Sequence, residues 1–307
     1  MTGQQMQVPF ASWSAAQAGW EEAGLLASEF ANTLRSFGSA SASTQAVLSQ
    51  GLVVDAWVAV IYTVIIFILT WTLRKLFIEP IAGSLFFSGL KLRKQRQMTQ
   101  KFTQSAMEAI AYGSFFMFGL VIVPVQPWSW PSAMWWQEWH AGPPSPHMWM
   151  RRDLRCYYIL YGARYVSFGI SGLLEYKRKD FIEMQVHHWV TVILVLLSYV
   201  YGWIRVGTIV MVLLDPADVP LHIAKMFKYG ADAGGPRSAK FQFVADRLFE
   251  IFAVVFFISR LVLYPYTCWS AKDESIDVWS KEVGRQWEHD AAEWLSVILF
   301  FTLLVLQ

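Results

Sequence analysis

Two adjacent histidines, His187 and His188, stand near the start of one apolar run, and two aspartates three apart, Asp215 and Asp218, stand near the far end of the next. Imidazole facing carboxylate supports nucleophilic or general-base chemistry: a carboxylate on one ring nitrogen fixes the tautomer and raises the basicity of the other. Histidine can also accept an acyl group itself, splitting one hard step into two. Two other readings stay open on these residues. A satisfied polar network would fix helix packing without chemistry. A metal ion would suit two histidines and two aspartates, although His140, His147, His222 and His289 lie in expected loops or at helix ends and form no histidine-rich box. Neighbouring histidines on a helix are about 100° apart around its axis, so both rings cannot point the same way. Thr191 is placed to reach either ring's face.

These groups have to be held by apolar helices. The 307 residues are 55% hydrophobic and 16% charged, with 16 Trp and 22 Phe, against about 25% charged in an ordinary soluble domain. An integral membrane protein is expected, and an aspartate at the centre of a spanning helix is disfavoured by roughly 2.5–3.5 kcal/mol. Something must therefore face Asp215 and Asp218. Arg164, midway along another apolar run, is placed to pair with one of them or to bind an anion. Arg247, Glu250 and Arg260 suit helix–helix contacts. Cys156 and Cys268 give no disulfide framework. Asn32, the one asparagine, begins no glycosylation sequon. The polar, Ala/Ser/Gln-rich start does not read as a cleavable signal peptide.

The periodicity and run lengths predict an all-α membrane protein of about seven transmembrane helices. Residues 1–50 read as a mobile or surface-lying arm. The expected spans are Leu52–Leu73, followed by a break at Pro80 and Gly83, then Ser105–Val125, Cys156–Leu174, Met184–Tyr201, Arg205–His222 and Phe243–Tyr264. The last apolar run, Trp294–Leu306, is shorter than the roughly 20 residues a crossing helix takes, and reads as a truncated seventh span. The linkers 74–101, 175–183 and 225–240 hold 14 Lys and Arg, against 8 in the opposite set. This asymmetry places the first set in the cytosol and the N-terminus outside or in the lumen. Cytosolic Lys177, Arg178 and Lys179, with Lys225 and Lys228, either hold the phosphates of a soluble donor or simply follow the positive-inside bias.

Around these residues the sequence resembles the ceramide synthase family, the Lag-motif branch of TLC-domain proteins. The likeness rests on Tyr157–Tyr158, Tyr165, Arg178-Lys179-Asp180-Phe181 and His187–His188. It continues through Arg205-x-Gly207-Thr208, Asp215-x-x-Asp218, Ala224-Lys225-Met226 and Phe252-Ala-Val-Val with Arg260. The resemblance covers about 100–270. It implies three regions: an N-terminal lumenal arm, 1–50; a first helix with its basic linker, 51–101; and a catalytic TLC domain, 102–307. Within the last, six helices would enclose an intramembrane cavity. The activity implied is transfer of a fatty acyl group from acyl-CoA to the amine of a sphingoid base in the endoplasmic reticulum membrane. The implied partners are acyl-CoA, the sphingoid base and membrane lipids, with no metal, no cofactor and no nucleic acid; a homodimer or an accessory subunit stays open. By position His187 is implied as acyl acceptor, His188 as its orienting partner, and Asp218 with Asp215 as base and proton relay. Lys177, Arg178, Lys179, Lys225, Arg205 and Tyr165 are implied as substrate-binding. The chain departs from the family pattern at Leu214, Pro216, His222 and Arg164. The alternatives from other classes are a non-enzymatic TLC-domain protein that binds lipid or escorts cargo, and a metal-dependent lipid oxidase.

Overall fold

The computed structural model describes residues 12–35, 46–48, 51–139, 149–174, 181–284 and 291–305. Eight long helices carry the fold: α1 (Trp13–Arg35), α2 (Leu52–Leu85), α3 (Leu92–Ile122), α4 (Arg152–Leu174), α5 (Phe181–Val200), α6 (Ile204–Asp232), α7 (Ser238–Val283) and α8 (Ala291–Val305). A two-stranded antiparallel sheet, β1 (Ala46–Leu48) with β2 (Trp149–Arg151), adds a small strand component to the expected all-α architecture; Ala46 opposes Arg151. Among the described residues five helices, α2, α3, α5, α6 and α7, are long and apolar enough to cross a membrane. The chain is thus a multi-pass membrane protein.

The expected third span, Cys156–Leu174, is helical but is not one of those five. It begins earlier, as α4, and its Asp153, Arg155 and Arg164 are all buried against other helices. A helix surrounded by protein has no need of an apolar exterior, and ionisable groups at membrane depth face the bundle interior. Helix α4 packs against α1, α2, α3 and α5.

Two expected helix ends are not ends. The break at Pro80 and Gly83 does not occur, and the span expected to stop at Tyr264 runs on to Val283. Both prolines directly follow a turn wound wider than an α-helix, Arg74–Ile78 before Pro80 and Phe257–Leu263 before Pro265. Such a π-turn already disrupts the i to i−4 ladder, so the missing proline N–H and the ring are accommodated without ending the helix. Glu79 braces the first turn, accepting from Arg74 Nε at 3.2 Å and Lys75 Nζ at 3.0 Å. Pro216 and Pro220 likewise lie inside α6 without ending it, and α6 continues past the expected stop at His222.

Within the stretch expected to be a free arm, α1 is packed. Its Leu26 and Phe30 are buried, and Phe30 meets Phe118 edge-on at 5.1 Å. Arg155 Nη1 donates to Glu22 on α1 at 2.7 Å and Nη2 to Asp55 on α2, whose second oxygen accepts from Tyr199 on α5 at 2.7 Å. One buried guanidinium thus ties four helices together. Trp13 and Trp20 remain exposed.

Helices α5 and α6 are joined by a tight turn in which Gly202 takes φ +79° and Trp203 N–H returns to the Ser198 carbonyl at 2.7 Å. A left-handed residue is needed there, which glycine supplies without strain. The stretch 265–283, expected as part of a loop, is helical and receives the Trp-rich segment after α3: Trp136 Nε1 donates to Ser270 Oγ, and Trp279 Nε1 to the Trp136 carbonyl, both at 2.9 Å.

Candidate active site

His187 and Asp218 line one cavity, together with Tyr158, Tyr161, Tyr165, Thr191, Arg260 and a mainly apolar remainder that includes Leu194, Val210, Met211, Leu214 and Phe300. The elements place them there by register. His187, Thr191, Leu194 and Ser198 recur at helical spacing along α5 and form one stripe, as do Asp218, Leu214, Met211 and Gly207 along α6. His188 turns to the other side and lines a second cavity with Thr70, Arg74, Gln104, Glu108 and Gln185. The two rings are 5.8 Å apart and inclined at 63°, and Tyr165 contacts both, at 6.2 Å from His187 and 5.6 Å from His188. The expected divergence of the two imidazoles is present.

The direct imidazole–carboxylate contact is not. Nδ1 of each ring is buried without a hydrogen-bond partner among the described residues. Both aspartates are held by arginines instead. Asp215, 1% exposed, receives Arg164 Nη1 on Oδ2 and Nη2 on Oδ1, each at 3.2 Å, and Tyr161 Oη at 3.0 Å. The Arg164 guanidinium sits 4.4–5.0 Å from the ring centroids of Tyr112, Phe115, Tyr161 and Tyr165. A planar cation faced by aromatic rings retains a favourable electrostatic environment although it has left water. Asp218 pairs with Arg260 of α7, whose Nη2 also donates to the Leu214 carbonyl at 3.0 Å. Asp215 and Asp218 therefore differ in role: the first is locked between α4 and α6, and the second lies on the cavity wall.

Thr191 does not reach either ring; its hydroxyl donates to the His187 carbonyl at 2.8 Å. His222, expected at a helix end, lies inside α6, stacks on Tyr112 at 5.6 Å and sits 2.8 Å from Glu108 of α3. Arg247 and Glu250 pair with each other at 2.5 Å on the exposed face of α7. Of the implied substrate-binding set, Tyr165 is at the cavity. Arg205 is not with the histidines: it donates to the carbonyls of Met134 at 2.8 Å and Gln137 at 3.2 Å, fastening the segment after α3. Lys225 is half-buried on α6, ten residues past Asp215, about 15 Å along the axis. Lys177, Arg178 and Lys179 lie outside the described residues, as do His140, His147 and His289. Among the described residues, no group of three or more His, Cys, Asp or Glu is gathered so as to hold a metal ion. Sequence reasoning missed Tyr158, Tyr161 and Arg260 as cavity residues and Glu108 as the partner of His222. Tyr158 and Arg260 were marked by the family resemblance, and Tyr161 and Glu108 only by polarity inside apolar runs.

The family model described as the TLC domain matches residues 101–307. The chain belongs to the TLC domain family. The relatives of this TLC protein include ceramide synthase 5 of Homo sapiens, 32% identical over 239 residues, 78% of this chain and 54% of that protein. Alternaria stem canker resistance protein 1 of Solanum lycopersicum is 32% identical over 208 residues, 65% of this chain and 63% of the relative. ASC1-like protein 3 of Oryza sativa subsp. japonica is 30% identical over 221 residues, covering 70% and 72%. The TLC chain spans about half the length of the first curated relatives it matches. It is homologous to ceramide synthases at moderate identity.

Proposed function

We propose that the chain is a ceramide synthase of the endoplasmic reticulum membrane, transferring a fatty acyl group from acyl-CoA to the amine of a sphingoid base. The observation that carries this reading is the cavity in which His187, Asp218 and Arg260 stand at one end while the walls beyond them are mainly apolar. A nucleophile, a carboxylate and a cation grouped at the mouth of an apolar chamber suit a substrate with one reactive polar end and a long hydrocarbon. The chamber is lined from α4, α5, α6, α7 and α8.

A ring nitrogen of His187 attacks the thioester carbonyl carbon. The carbon–sulfur bond breaks, and coenzyme A leaves as its thiol with the proton displaced from the ring. The amine arrives protonated and gives one proton to Asp218, which frees its lone pair. It then attacks the acyl-imidazole carbonyl, the amide carbon–nitrogen bond forms, the imidazole departs, and the second amine proton returns to the ring. Asp215, fixed by Arg164, positions α6 so that Asp218 meets the cavity. His188 lines the more polar second cavity, through which the headgroups approach. In membranes carrying the protein, His187→Ala and Asp218→Ala each reduce ceramide formation to the level of membranes without it, at normal expression. Full activity in both variants would leave a lipid-binding or escort role in place of acyl transfer.

A further inference from the structure

Helix α2 is longer than a crossing needs. Its 34 residues, Leu52–Leu85, measure about 51 Å at 1.5 Å rise per residue, against a hydrocarbon core of about 30 Å. The first 22 residues, Leu52–Leu73, already account for about 33 Å, and the π-turn Arg74–Ile78 follows at once. What lies beyond is held to the bundle on one side. Ala82 and Phe87 are buried with Met98 and Phe102 of α3. Phe86 packs on Phe102 at 5.0 Å and on Phe241 of α7 at 6.0 Å, and Gln95 Nε2 donates to the Gly83 carbonyl at 3.1 Å. On the outer side Phe77, Ile81 and Leu85 recur every four residues and are all exposed, so they form one stripe. They continue the exposed Val64, Ile68 and Leu69 of the crossing part. At the start of α3 come Lys91, Arg93, Lys94 and Arg96, all exposed, and no acidic residue stands between Glu79 and Glu108.

We propose that the hairpin 74–101 lies in the boundary of the cytosolic leaflet and binds anionic phospholipid headgroups there. A helix running straight on into water would hold Phe77, Ile81 and Leu85 in it. A helix that bends at the π-turn and follows the surface sinks that stripe into the hydrocarbon edge. Basic residues just beyond a crossing helix are drawn to an anionic leaflet, by about fivefold in affinity each. Lys91, Arg93, Lys94 and Arg96 supply that attraction at the tip, with no carboxylate beside them in the chain to offset it. The surface does not suit a second copy of itself, because each tip would meet like charges. An acidic protein would answer the charge, but it would have to enter the bilayer to cover a stripe continuous with the exposed apolar side of α2.

Two measurements on the full chain in nanodiscs of mixed phosphatidylcholine and phosphatidylserine test this, and neither requires acyl transfer. Cys156 and Cys268 are buried, so a nitroxide label goes to a thiol introduced by Phe77→Cys, Ile81→Cys, Leu85→Cys or, at the turn, Ser88→Cys. Oxygen, which concentrates in hydrocarbon, is expected to relax the label more than a water-soluble nickel chelate at the first three positions, and less at Ser88. Dominant nickel relaxation at the three would mean that the helix stands in water, and exclusion of both reagents that protein covers it; either result overturns the proposal. The second measurement counts the phospholipids retained on the intact protein by mass. The wild type is expected to retain phosphatidylserine at least about tenfold above its share of the disc. The combined variant Lys91→Gln, Arg93→Gln, Lys94→Gln and Arg96→Gln should fall to within about twofold of that share. Absence of preference in the wild type overturns the proposal even if the variant does not fold, and so does a folded variant whose preference is undiminished.

Discussion

Arg164 and Arg260 change the account most at the scale of single residues. The His and Asp pairs were visible from their types and spacing, and so was Arg164 as the partner of one aspartate, which the structure bears out at Asp215; that Arg260 holds the other was not, because sequence spacing fixes a stripe on a helix and not the neighbour opposite. The expectation that a carboxylate orients an imidazole directly gave way to two arginine–aspartate pairs. Asp215 with Arg164 is the more enclosed, since both are 1% exposed. Removing one member leaves a buried charge uncompensated, which typically costs 3–5 kcal/mol, whereas replacing both by apolar groups is often neutral. Arg164→Met is therefore expected to lower the thermal midpoint in detergent sharply, and Arg164→Met with Asp215→Leu to recover most of it. A double variant no better than the single one would contradict the pairing. Asp218→Asn keeps an acceptor for Arg260 but loses the base, so turnover should drop by about 10²-fold or more with little change in thermal midpoint. Turnover within about twofold of wild type would remove Asp218 from the chemistry.

At the scale of elements, the apolar runs located the spanning helices but not two of their ends. Pro80 marks an expected break and Pro265 follows an expected end at Tyr264, yet each lies just after a π-turn that absorbs the lost hydrogen bond. A wider turn leaves no residue pattern comparable to a cap, so it was not legible. Helix α4 was found by its aromatic and apolar content, but its polar stripe could be interpreted only after its neighbours were placed. Close helix approach was also invisible. A Cβ on Gly119 of α3 would press on Val212 of α6 and come within 3.0 Å of Tyr157 Oη on α4. Small residues permit such contact between membrane helices. Gly119→Ala should destabilise by about 1–3 kcal/mol through overpacking, seen as a lowered thermal midpoint. An unchanged midpoint would show that α3 and α6 are not so closely apposed.

At the scale of the molecule, the bundle is fastened at its end nearest the start of α2 by Arg155, which joins α1, α2 and, through Asp55 and Tyr199, α5. The N-terminal stretch reads as an arm because it is rich in Ala, Ser and Gln; two of its polar partners, Arg155 for Glu22 and Asp153 for Thr33, lie over a hundred residues away in sequence. Arg155→Met strands Glu22 and Asp55 together and is expected to cost at least about 3–5 kcal/mol. It should also expose Trp13–Arg35 to limited proteolysis, from which its packing is expected to protect it in the wild type. Protection unchanged in the variant would mean that apolar packing alone retains α1.

The account's central claim is that His187 carries the acyl group. Its most direct measurement is the mass of the intact purified protein after exposure to acyl-CoA without amine, followed by location of the mark. The expected result is an increase of one acyl chain on His187, discharged when a sphingoid base is added. Amide formation with no such mark, or with the mark on another residue, would contradict it.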